Sequence, residues 1–335
     1  LEIIQKGIPN LARKGIKLKD INKVLCIFSS PWYKSQADLI TFEKENEFDV
    51  KEKEIKEAVA NVNEEFRKSS MPESNSDDEM PQKTKLIEKN IVQMRLNGYL
   101  TNNPYNKKTK SVELSLFLSK ISGEVYKNIK GMLSETFHTD DISFHSFALV
   151  SFSVIRDIFN VEKNFILMDI RGEVTDISLV RNETLYSTAS FPLGRNFLTR
   201  KVSEALNTVP EEANSLIRVF LEGKGESNES IKIKTILNDA QKSWLSSFRK
   251  VLADLSEGLS LPSTVFLTVD EDIGKWFEDA IKNEEFGGYT LAGRPFMVVA
   301  LNEKQLLKYC VTVGESRCDP FLALEVLFVH KIADI

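Results

Sequence analysis

The sequence predicts an α/β protein built in two parts. Three observations predict it. Short apolar runs of strand type alternate with amphipathic helical stretches. The chain has 335 residues, more than one small core needs, so about two domains are expected. An acidic, Ser/Pro-rich segment at 69–83 breaks the first half and is expected to be a disordered surface loop.

Composition narrows the classes. The chain is 42% hydrophobic and 28% charged, ordinary for a globular protein. Basic and acidic residues number 44 and 49, a net charge of -5, so nucleic acid is not an expected partner. Apolar runs fall short of the roughly 20 residues a membrane span needs. The first residues lack the pattern of a secretory signal, which gives a cytoplasmic expectation. Cys26, Cys310 and Cys318 show no CxxC spacing and read as thiols in a reducing compartment.

In chain order, Leu1 to Leu18 reads as the end of a helix and a connection, and Val24 to Phe28 as a buried strand stopped at Pro31. Asp49 to Lys68 is helical, with Ile55, Val59, Val62 and Phe66 on one face. Ile87 to Leu96 and Ser111 to Leu118 alternate as strands around turn residues at Asn97-Gly98 and Asn103-Pro104. Gly123 to Phe137 and Phe144 to Phe159 read as helices. Phe165 to Ile170, Val174 to Val180 and Leu185 to Ser190 form an antiparallel meander. Helices follow at Asn196 to Leu206, from Pro210, and at Ile236 to Leu255, with a polar loop at Lys224 to Glu229. Thr264 to Val269 is a strand, Ile273 to Ile281 a helix, and Tyr309 to Val313 a strand. Asp319 and Pro320 are N-cap and first residue of a last helix.

Chemistry concentrates at Asp169-Ile170-Arg171-Gly172-Glu173-Val174-Thr175-Asp176. An acid ending a buried strand can hold Mg²⁺ through water, turn amides can hold phosphate oxygens, and glycine lets a ligand come close. Asp-x-x-Gly at a strand end is also the signature of a plain β-turn. Elsewhere, Asp270, Glu271 and Asp272 read as a divalent-cation cluster or, more simply, as a solvated helix start. His138 and His145 lack a third ligand nearby, and His330 reads as packing or a helix-end charge. Lys107, Lys108 and Lys110 read as a solvated hairpin tip or as a contact for phosphate or anionic lipid. No P-loop, nucleophile elbow or HExxH helix is present.

The order of these features resembles one family. Met168 to Ile177 is similar to the second phosphate motif of actin-like ATPases. Phe191-Pro192-Leu193-Gly194, the helix after it and Pro210-Glu211-Glu212-Ala213 resemble the branch holding the division protein FtsA and the type IV pilus protein PilM. The resemblance implies an actin-like (ribonuclease H-like) fold with a small inserted α/β domain. Residues 1–19 would end an N-terminal subdomain, 20–135 would be the insert, and 136–335 the second actin-like half. It implies ATP and Mg²⁺ as cofactors. Asp169 would hold the metal, Gly172, Glu173 and Thr175 the phosphate turn, and Gly194 the bend toward the cleft.

Three departures shape the expected function. The family's first phosphate motif would precede Leu1. Arg171 replaces a glycine, and Val269-Asp270-Glu271-Asp272 replaces the glycine pair of the adenosine turn, leaving carboxylates that would repel a nucleotide unless a metal intervened. The expectation is therefore a scaffold with a degenerate nucleotide site and little or no ATP hydrolysis. It would bind protein partners of a division or pilus machine, and copies of itself, at the inner face of the membrane. The alternatives are a working ATP-binding actin-like protein that polymerises, and an unrelated α/β binding module.

Overall fold

A computed structural model describes residues 2–68, 84–223, 228–256, 258–306, 308–310 and 319–333. The acidic loop expected at 69–83, residues 224–227, the greater part of the strand expected at 309–313, and Cys318 lie outside the described residues. The chain divides into two compact units, Leu1–Leu149 and Val150–Ile335.

The first unit opens with α1 (Glu2–Arg13), followed by β1 (Val24–Phe28), β2 (Tyr33–Asp49), α2 (Glu52–Lys68), β3 (Thr84–Leu96), β4 (Tyr99–Leu100), β5 (Lys108–Ser122), α3 (Gly123–Phe137) and β6 (Ile142–Ser146). β2, β5, β3 and β4 form an antiparallel sheet in that order. α2 turns Ile55, Val59 and Phe66 onto one face of it, against Val112, Leu114, Leu116 and Leu118. That packing follows from the alternation in β5 and the 3–4 residue spacing in α2. β1 pairs in parallel with β6, from Val24 opposite Ile142 to Phe28 opposite Ser146.

Two expectations change here. β2 was not foreseen, and the helix expected from Phe144 starts only at Phe147, because Ile142–Ser146 is claimed by β1. His145, on β6, lies 3.3 Å from Glu88, whose other oxygen accepts hydrogen bonds of 2.5 Å from Ser119 and Ser146. His138 is the left-handed C-cap of α3.

α4 (Phe147–Ile158) carries the chain into the second unit. There follow β7 (Phe165–Ile170), β8 (Thr175–Arg181), β9 (Thr184–Phe191), α5 (Arg195–Leu206), α6 (Pro210–Leu221), α7 (Asn228–Ser256), β10 (Thr264–Val269), α8 (Glu271–Lys282), β11 (Met297–Ala300), α9 (Glu303–Leu306) and α10 (Pro320–Ala333). The sheet order is β11-β10-β7-β8-β9, with β7, β10 and β11 parallel and β7-β8-β9 an antiparallel meander. Asn182 and Glu183 take positive φ in the meander's tight turn. β11, at Met297–Ala300, is one edge strand and β9 the other; the sequence pattern does not predict β11. α7 buries Trp244 and Phe248 among Phe191, Phe277 and Phe286, which anchors the helices to the sheet. Asp319 caps α10 as expected, its carboxylate accepting from the amides of Phe321 (2.8 Å) and Leu322 (3.2 Å).

Candidate functional site

The site candidates gather at the carboxyl ends of β7 and β10. The parallel ladder sets Asp169 beside Thr268 and Ile170 beside Val269, so Asp270 follows directly next to the end of β7. The antiparallel ladder sets Asp169 opposite Asp176. Ligand sites of open α/β sheets lie at this edge, because the chain leaves it in loops and helix starts.

Residues 171–174 close the turn, with the Arg171 amide bonded to the Val174 carbonyl at 3.0 Å. The start of α5 is fitted onto that turn. The amides of Gly194, Arg195 and Asn196 donate to the carbonyls of Glu173 (3.1 Å), Arg171 (2.8 Å) and Gly172 (2.7 Å). Gly194 is glycine because of this approach: a Cβ there would lie 2.2 Å from the Arg171 oxygen and 2.6 Å from that of Gly172. Its φ of -100° is ordinary, so the constraint is steric contact and not backbone handedness. The donors with which a helix start could hold an anion are here spent on the protein's own carbonyls.

Thr175 is fully buried. Its hydroxyl donates to the Leu193 carbonyl at 2.8 Å and accepts from the Trp244 indole at 3.2 Å. Glu173 is exposed, paired with Arg200 at 2.8 Å and accepting from the Asn196 amide at 2.9 Å. The Asn196 hydrogen bond, with help from Arg200, holds its carboxyl below the usual range against the effect of burial.

Asp169 is 8% exposed, and its Oδ1 has no hydrogen-bond partner among the described residues. Arg171 Nε donates to Oδ2 at 3.4 Å and stands 3.3 Å from Oδ1 without a hydrogen bond to it. Burial, reinforced by Asp176 and Asp270, outweighs Arg171 and pushes the Asp169 carboxyl up to about 7. The Arg171 guanidinium also lies over the Phe321 ring of α10, 3.5 Å from its centre.

The carboxylates after β10 do not stand as unrelieved negative charge. Arg195 forks to Asp270 at 2.6 Å and Asp272 at 2.7 Å. Burial works against the Arg195 charge, but these two acids outweigh it and raise its pKa. Glu271 and Asp272 occupy the first turn of α8, where the helix dipole favours acids. Among the described residues, no group of three acidic, histidine or cysteine side chains is arranged to share a metal ion.

The structure thus brings Asp169, Gly172, Glu173, Thr175 and Gly194 into one turn–helix junction. It adds Arg195, Trp244 and Phe321, which the sequence did not point to. Trp244 and Phe321 come from helices distant in sequence and left no local signal.

No protein-family model and no curated protein sequence matches the chain. Solved structures do. The PilM-PilN type IV pilus biogenesis complex matches at 12% identity and a TM-score of 0.57, over 93% of this chain and 80% of that one. The MamK double helical filament matches at 12% identity and a TM-score of 0.43, over 64% and 66%. MreB 5 of Spiroplasma citri bound to AMPPNP matches at 11% identity and a TM-score of 0.40, over 64% and 65%. These last two are too distant to carry weight. The chain has an actin-like fold of the PilM type.

Proposed function

We propose that this actin-like chain is a scaffold that binds protein partners of a type IV pilus assembly machine, or of a division machine as its FtsA resemblance suggests, and that its nucleotide site is degenerate. The observation that carries the pilus reading is the fold likeness, over 93% of the chain, to a protein solved in a PilM-PilN complex. Among the described residues, no helix is long and apolar enough to cross a membrane. A cytoplasmic place at the inner face of the membrane, reached through partners, fits that role.

Degeneracy is supported by how the site satisfies itself. For Mg²⁺ and ATP, Asp169 would hold the metal and the turn at Gly172, Glu173 and Thr175 the phosphates, with Gly194 behind it. These residues as placed do not fit the group. The α5 amides serve the turn's carbonyls, the Thr175 hydroxyl serves Leu193 and Trp244, and Arg171 stands beside Asp169. The second reading, an ATP-binding protein that polymerises, draws on one observation: the buried Oδ1 of Asp169 lacks a hydrogen bond, as a carboxylate awaiting a cation would.

The test of the scaffold role is complex formation. Titrating the chain with a PilN-type protein in a calorimeter should give saturable binding. No heat with any PilN-type protein, together with self-assembly on adding ATP, would favour the second reading.

A further inference from the structure

We infer that the Arg171 side chain is a built-in cation that takes the place a divalent metal ion would need at the end of β7, and that α10 keeps it there. The inference rests on the degenerate-site reading above and names the residue that closes the site. Arg171 starts from a fixed point. Its amide donates to the Val174 carbonyl at 3.0 Å, and its own carbonyl accepts from the Arg195 amide at 2.8 Å. The backbone is therefore tied on both sides of the residue, and the side chain leaves it toward Asp169. Nε donates to Asp169 Oδ2 at 3.4 Å and stands 3.3 Å from Oδ1. The guanidinium lies over the ring of Phe321, 3.5 Å from its centre, and Phe321 is buried in α10. Glu325, one turn further along α10, lies in the same field: burial raises its carboxyl, and Arg171 works against the rise.

The simpler account is an ordinary surface ion pair, worth little and readily exchanged. Burial argues against it. The side chains of Arg171 and Asp169 are only 22% and 11% exposed, and every residue of β7 is buried. Asp176 and Asp270 add negative charge at this end of the sheet, and Arg171 partly offsets it. The nearby Arg195 is committed to Asp270 and Asp272. A metal ion and this guanidinium exclude each other. An ion held by Oδ1 at about 2.1 Å would lie within about 5 Å of Nε, where a double and a single positive charge repel. Arginine is not deprotonated in proteins, so a change of pH does not lift the block. Displacing the side chain from Asp169 would lift it.

Titration of the full chain with Mn²⁺, read by electron paramagnetic resonance of the free ion, tests this. It is run at about pH 8, where a metal displaces a carboxyl proton readily. Acidic side chains elsewhere also attract Mn²⁺, so uptake is counted as the part that Asp169→Asn removes in the same background. Wild type should show none. Arg171→Ala should show saturable uptake, about tenfold or more tighter than any by wild type. Arg171→Lys keeps a positive charge and should behave like wild type. Arg171→Ala that folds but takes up no Mn²⁺ at Asp169 would overturn the inference, as would equal uptake by wild type or by Arg171→Lys. Should Arg171→Ala melt too low to titrate, adding Asp169→Asn should restore the melt, because it removes the charge that Arg171 answered; no restoration would also overturn the inference. None of these arms contains nucleotide. The degenerate-site reading falls only to ATP binding by the wild type, so the two failures are distinguishable.

Discussion

Asp169 is the residue on which the electrostatics of the second unit converge. A carboxyl at the end of a fully buried strand loses its water, and Asp176 stands directly across the ladder. The Arg171 guanidinium, with one long hydrogen bond to Oδ2, does not compensate for burial, so the group is held near a pKa of about 7 against an ordinary 3.8. The sign of the consequence follows. A carboxyl whose folded pKa is raised favours the protonated folded state, so its contribution to stability is fully present below about 4 and is lost as pH rises through 7. Asp169→Asn imitates the protonated form at every pH. Urea unfolding should show its stability advantage over wild type growing by about 2 kcal/mol between pH 5 and pH 8. A constant difference across that range would mean that Asp169 is ionised throughout.

At the scale of elements, the decisive feature is the seating of α5 on the β7–β8 turn. Three consecutive amides and three consecutive carbonyls meet there, and the contact requires a residue without a side chain at 194. Gly194→Ala should cost about 2 to 4 kcal/mol in thermal or urea unfolding, because the clashing atoms are backbone. Gly172→Ala should cost far less, since its Cβ would meet the movable Asn196 side-chain amide. Equal costs would contradict the seating as the tight contact. Elements bounded by turn residues were legible in the sequence: Phe165–Ile170, Thr264–Val269 and Gly123–Phe137 fall where the apolar patterns placed them. β2 was not, because its second half, Glu43 to Asp49, is mostly charged and is held as strand only through pairing with β5. β6 was hidden because no breaker separates it from the apolar α4. β11 has four residues, too few for a period to register. The turn carrying Asp169 to Thr175 could be found from sequence because it is contiguous. The indole, guanidinium and ring that surround it arrive from α7, α5 and α10.

For the whole molecule, two units share one chain, and the fold likeness to PilM spans both. Fold alone does not assign chemistry. What favours a scaffold over an ATPase is that the second unit answers its own charges. Arg195 takes Asp270 and Asp272, Arg200 takes Glu173, and Arg171 lies between Asp169 and Phe321. Such a junction is a rigid element of a partner-binding body more readily than a cradle for three phosphates. The most direct test is calorimetric titration of the chain with ATP and Mg²⁺, alongside an Asp169→Ala variant. The account predicts no binding heat from either protein. Micromolar binding by the wild type that the variant loses would contradict it and establish a working nucleotide site at the β7–β8 turn.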